Sequence, residues 1–165
     1  MTLWRSDKPL LLASRSAPRQ MLLQNAGIPF EAVPADIDER ALEQGLRSGR
    51  ASADATAVAA ALARAKAESV SRLHPSALVI GCDQVLGIEG EILSKAPDTG
   101  AARQQLLRLR GKTHTLHTAI CLARAGEVTW EHMALPRLTM RVFSDAFLAA
   151  YADRMGARLC QSGGA

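Results

Sequence analysis

The chain is poor in aromatic side chains, with three Phe, two Trp and one Tyr among 165 residues. So sparse a set gives little for stacking successive bases, and Lys and Arg are scattered rather than clustered. A polyanionic small molecule accounts for the net charge of +4 equally well, and no nucleic-acid partner is expected. Cysteine is scarce too. Cys82, Cys121 and Cys160 are odd in number and widely spaced, and two lie inside apolar runs, which fits free buried thiols in a reducing compartment better than a disulfide frame. Apolar runs such as Leu10 to Ala13, or Thr56 to Ala63 with its leading Thr, fall far short of the roughly 18 to 20 residues of a membrane span. The N-terminus lacks the apolar core of a secretory signal. The expectation is a cytoplasmic protein with no membrane partner.

Several catalytic signatures are missing. "GKT" at Gly111 to Thr113 ends like a phosphate-binding P-loop, but no Gly stands five residues earlier, and the motif follows a helix instead of opening one. His114 and His117 have a ligand-like gap, yet residues three apart on a strand face opposite sides of a sheet and cannot share one ion. There is no Cys pair and no Gly-x-Ser-x-Gly elbow, so structural zinc and serine hydrolysis lack support.

What is present is an alternation of strand and helix signals. Leu10 to Ala13 reads as a strand that hands over to a helix, with Ser16 as N-cap, Pro18 in the first turn and Gly27 as the stop. Ile28 to Arg40 carries two prolines and reads as an extended segment ending in an acidic turn at Asp36, Asp38 and Glu39. Ala55 to Leu73 is Ala-rich with helical apolar spacing. Ala77 to Leu93 begins as a doubly buried strand and turns back around Glu89 and Gly90. Asp98 caps a helix over Thr99 to Arg110, stopped by Gly111. Two long strands follow, joined at Ala125 and Gly126, and Ser144 caps a last helix over Asp145 to Met155. No internal repeat or linker interrupts this order, which predicts one α/β unit with a mixed sheet.

Charges at the ends of these elements are the candidates for chemistry. Ser14, Ser16 and Arg19 sit where a strand meets a helix N-terminus, and free amides together with a guanidinium there suit a phosphate. The alternative is a plain cap at Ser16 beside a solvated Arg19. Asp83 in "VIGCDQV" adjoins a buried strand, so it is either a working carboxylate or half of a buried ion pair. Glu39, Lys66 and Lys95, taken singly, read as solvated charges.

Six segments in order resemble the Maf family of nucleotide pyrophosphatases, related to septum-formation inhibitors. "LASRSAPRQMLL" is similar to the family's opening L-A-S-x-S-P-R-R, "DIDE" to its acidic turn, "ARAKAE" to its lysine helix and "GCDQV" to its catalytic strand. "EILSKAPD" and "LRLRGKTHTLHTAICL" resemble the lysine segment and the strand that follow. The resemblance runs from Leu10 to the end of the chain. It implies an elongated, twisted mixed sheet flanked by helices, as in Maf and inosine-triphosphatase folds, over a single domain of residues 1–165 that lacks the family's C-terminal segment. It also implies hydrolysis of a nucleoside triphosphate between the α and β phosphates, on non-standard or pyrimidine nucleotides, with a divalent cation, Mg²⁺ or Mn²⁺. In that pattern Asp83 is the general base and, with Glu39, a metal ligand, while Ser14, Ser16, Arg19, Lys66 and Lys95 bind phosphate. A homodimer is admitted as the assembly.

Where the family often has two adjacent arginines, Pro18 and Gln20 flank the single Arg19, and Gln84 stands where the subgroup acting on thymidine and uridine triphosphates has Thr. Pro18 and Gln84 are specificity candidates: Gln84 matches the subgroup that prefers 7-methylguanosine triphosphate, in which a bulky residue stands at the position of Pro18. "LCQSGGA" is similar to the start of a Gly-rich loop, and an incomplete pocket wall there would leave activity impaired and base discrimination weak. Competing readings are a 7-methyl-GTP pyrophosphatase and a non-catalytic regulator of septum formation or cell division.

Overall fold

A computed structural model of the chain describes residue 5, residues 8–48 and residues 54–160. The segment QSGGA at 161–165 therefore lies outside the described residues. The strands are β1 (Leu10–Leu12), β2 (Glu31–Ala32), β3 (Leu78–Ile88), β4 (Glu91–Leu93), β5 (Thr113–Arg124), β6 (Glu127–Ala134) and β7 (Arg137–Thr139). The helices are α1 (Ala17–Asn25), α2 (Glu39–Ser48), α3 (Ala55–Leu73), α4 (Thr99–Leu109) and α5 (Asp145–Met155), with a 3₁₀ turn at Gly156–Cys160. Seven strands form one mixed sheet in the order β2-β1-β3-β5-β6, with β4 added to β3 and β7 added to β5. Strand β1 is parallel to both β2 and β3, whereas β4 and β7 pair antiparallel. Among the described residues no helix is long and apolar enough to cross a membrane.

Two compact units divide the chain, residues 1–83 with 118–133 and residues 84–117 with 134–165. In the first, the run Leu10 to Ala13 is buried throughout, as a strand covered on both faces and flanked by parallel neighbours should be. Helix α3 begins where the Asp54 carboxylate accepts the Thr56 amide at 3.1 Å, satisfying one of the orphan donors of its first turn. Its buried stripe contains Val58, Leu62, Lys66 and Val70, an i, i+4 ladder. That stripe presses onto β3 at Gly81, where a Cβ would lie 2.6 Å from the Ala67 nitrogen and 2.7 Å from the Ala67 Cβ. The close approach of α3 to β3 thus depends on a glycine in the strand and alanines on the helix.

The second unit has its own apolar clusters. Ala102, Leu106, Leu148, Ala152 and Leu159 form one, and Leu86, Ile88, Leu93 and Leu109 form another. The Asp98 and Ser144 side chains cap α4 and α5 by accepting the amides of Ala101 at 2.8 Å and Phe147 at 3.1 Å. The β3–β4 turn takes positive φ at Glu89 (52°) and Gly90 (80°), as the tight primed hairpin turn requires.

Three expectations change. Glu39 does not close an acidic turn but opens helix α2, because the Asp38 carboxylate accepts the Ala41 amide at 2.9 Å and caps it. The extended segment before it contributes only Glu31–Ala32 to the sheet. The second long strand is interrupted before Pro136, which has no amide to donate, and chain pairing resumes as the short β7.

Candidate active site

Local structure delivers five polar side chains to one place in the first unit. Strand β1 ends at Leu12, and Ser14 follows it, buried to 7% exposure. Its Oγ accepts the Ser16 amide at 3.1 Å and Arg19 Nη1 at 3.4 Å. This bond turns the guanidinium from the first turn of α1 back towards β1. Ser16 occupies the N-cap position, but its side chain makes no capping bond, and its own backbone amide is the one donated to the Ser14 hydroxyl. Pro18 lies in the first turn, where a missing N–H costs nothing.

Asp83 lies in β3 and is 8% exposed. Its Oδ1 accepts Lys66 Nζ at 2.7 Å, and Arg19 Nη2 stands 4.0 Å from the same oxygen. Lys66 is itself only 6% exposed, and its Nζ also reaches Glu39 Oε2 at 3.0 Å. The ammonium therefore bridges two carboxylates, one buried in the strand and one half-exposed at the start of α2. Reading Lys66 as a solvated charge is corrected by this geometry: a lysine within the apolar ladder of α3 is forced inward and must meet a counter-charge there. Both ion pairs of Asp83 fall on Oδ1.

Cys82, next to Asp83, is buried, and that burial pushes its thiol up despite the opposing pull of Arg19 and Lys66. It stays protonated at neutral pH and is no nucleophile. His114 and His117 lie on β5 away from these residues in sequence and in the other unit. Gln84 is exposed on β3 and, with the exposed Lys95 that follows β4, belongs to the second unit. Ser14, Arg19, Glu39, Lys66 and Asp83 are the sequence candidates that the first unit gathers. A cleft of about 450 Å³ between α1 and β2, lined by Gln24, Pro29 and Phe30 among others, includes none of the five.

The donor set can be tested against a divalent cation. No group of three or more His, Cys, Asp or Glu suited to a metal occurs among the described residues. Two carboxylates do converge on one point, at Lys66 Nζ. Magnesium is commonly held by one or two carboxylates completed by substrate phosphates and water, so Glu39 and Asp83 fit a cation that arrives with a polyphosphate.

A family model described as Maf-like protein matches residues 9–165. A nucleoside triphosphate pyrophosphatase of Rhodospirillum rubrum is 46% identical over 157 residues, covering 95% of this chain and 77% of that protein. One of Rhodopseudomonas palustris is 44% identical over 165 residues, covering 100% and 80%. A 7-methyl-GTP pyrophosphatase of Brucella abortus is 46% identical over 147 residues, covering 89% and 73%.

Proposed function

The chain belongs to the Maf family, and from that membership we propose that it is a nucleoside triphosphate pyrophosphatase that cleaves between the α and β phosphates. The products are a nucleoside monophosphate and pyrophosphate. The observation that carries this reading is the cluster around Asp83, a buried carboxylate contacted at Oδ1 by Lys66 and approached by Arg19.

Each residue has a part that its position supports. Arg19 and Lys66 supply positive charge to phosphate oxygens, and charge-assisted bonds of this kind strengthen as negative charge builds in the transition state. Ser14 holds the Arg19 guanidinium in place and, with Ser16, borders the N-terminus of α1, whose dipole favours an anion. Asp83 accepts the proton of the attacking water. Glu39 and Asp83 would hold the divalent cation, Mg²⁺ or Mn²⁺. When bound, that cation supplies charge neutralisation on the phosphates and a more acidic water.

A second reading concerns the base. Gln84 directly follows Asp83, and a 46% identical relative is named a 7-methyl-GTP pyrophosphatase; both favour 7-methylguanosine triphosphate over a pyrimidine substrate. The test is incubation with a panel of ordinary and modified nucleoside triphosphates in Mg²⁺ or Mn²⁺, with products separated by anion exchange. Monophosphate and pyrophosphate in equal amounts are expected. Diphosphate with orthophosphate, or no turnover of any nucleotide, would overturn the reaction assigned here.

A further inference from the structure

We propose that Lys66 is a resident counter-ion that keeps the two carboxylates closed to a divalent cation until a triphosphate draws its ammonium away. The inference rests on the pyrophosphatase reading and adds an order of events to it.

The ammonium and a metal ion compete for one point. Lys66 Nζ lies 2.7 Å from Asp83 Oδ1 and 3.0 Å from Glu39 Oε2, so it already occupies the place on which both ligands converge. A cation bridging the same oxygens would sit against a positive charge within a few ångströms, in a pocket where Asp83 and Lys66 are both more than nine-tenths buried and screening is weak. Two carboxylates alone also give a divalent ion too few protein oxygens, and no third His, Cys, Asp or Glu joins them among the described residues. Both deficits are removed by one ligand. A triphosphate brings oxygens for the cation and an anionic destination for the ammonium, which a lysine can reach by rotating its four-carbon stem without moving α3. Arg19, tied to Ser14 at 3.4 Å, stays beside Asp83 during the exchange.

The consequence is that metal and nucleotide bind with positive coupling, and that the coupling resides in Lys66. Linkage makes it reciprocal. With Lys66 removed, the competing charge is gone though the shortage of protein oxygens remains, so the bare carboxylates should hold a cation more tightly than the wild type does without nucleotide.

The experiment uses Mn²⁺ alone, titrated into the 165-residue chain and into Lys66→Met and Lys66→Gln, with free Mn²⁺ read by electron paramagnetic resonance. Both variants should bind Mn²⁺ at least about tenfold more tightly than the wild type, a coupling of ordinary size. Equal affinity in wild type and variants overturns the proposal. Because unpairing Asp83 can unfold the chain, a second measurement uses only the wild type. Water-proton relaxation is recorded with Mn²⁺ alone and then with Mn²⁺ plus an α,β-methylene triphosphate, since only a metal bound to the slowly tumbling protein enhances relaxation strongly. Enhancement that appears only with the analogue supports the exchange; full enhancement with Mn²⁺ alone refutes it. A chain that binds Mn²⁺ only after Lys66 is replaced, yet hydrolyses no nucleotide, would keep this inference and defeat the assigned reaction.

Discussion

Replacing Gly81 by Ala tests whether the seat of α3 on β3 builds the site. Gly81 precedes Asp83 by two residues on β3, and an added Cβ there would overlap the Ala63 carbonyl oxygen and stand 2.6 Å from the Ala67 nitrogen. Ordinary contact begins at 3.4 Å and the Ala63 oxygen would stand at 2.2 Å, so the helix must retreat by more than an ångström there. The atoms in the way are mostly backbone, which no rotamer change can clear. Overpacking costs about 1 to 3 kcal/mol, and backbone obstruction puts this site near the upper value. In a chain of this size each kcal/mol moves Tm by roughly 2 to 4 °C, so Gly81→Ala should melt roughly 6 to 12 °C lower. The same retreat carries the Lys66 ammonium, a phosphate-binding charge, out of its place beside Asp83, so affinity for a triphosphate analogue should fall with it. Gly45→Ala in α2 is the control. Nothing lies within 4 Å of a Cβ at Gly45, and a helix-interior alanine there should stabilise by about 0.5 to 1 kcal/mol. Melting followed by circular dichroism decides the matter. A Gly81→Ala protein that melts within roughly 2 °C of the wild type refutes the argument that α3 rests on that glycine.

Two further outcomes follow from charge. Arg19→Ala should weaken binding of a non-hydrolysable triphosphate by about 1.5 to 3 kcal/mol, roughly ten- to hundredfold, measured by calorimetric titration; equal affinities would return Arg19 to the helix surface. His114 is 4% exposed, its Nδ1 has no hydrogen-bond partner among the described residues, and burial lowers its pKa. The unfolded chain therefore takes up this proton first as pH falls below about 6.5, so the stability His114 contributes is full above that pH and is lost down to its lower folded value. Urea unfolding at mildly acidic and neutral pH should show a smaller pH slope for His114→Leu than for the wild type; an unchanged slope would contradict this assignment.

Much of the fold was legible because its signals are local. Ala55 to Leu73 carries its whole stripe within one helix, and the turns at Glu89–Gly90 and Ala125–Gly126 announce positive φ through glycine. Caps at Asp98 and Ser144 sit where their side chains reach the first-turn amides. Helix α2 was not legible: Glu39 to Ser48 contains Gly45 and few apolar residues, and its cap at Asp38 looks in sequence like one more acidic turn residue. Candidate residues can be named from sequence, but not which of them meet. Lys66 offered one overlooked signal, its place in the ladder of Val58, Leu62 and Val70, which implies burial. That its partners are Asp83 and Glu39 is tertiary information, fixed by how α3 lies on β3 and α2 packs against α3.

Whether Asp83 acts as the base of a nucleotide pyrophosphatase is decided by the initial rate of triphosphate hydrolysis by Asp83→Asn, alongside affinity for a non-hydrolysable analogue. Asparagine keeps the shape and loses the basic oxygen, so turnover should drop about a hundredfold or more while affinity changes by only a small factor. Turnover near the wild-type rate in a folded, nucleotide-binding Asp83→Asn protein would contradict the account.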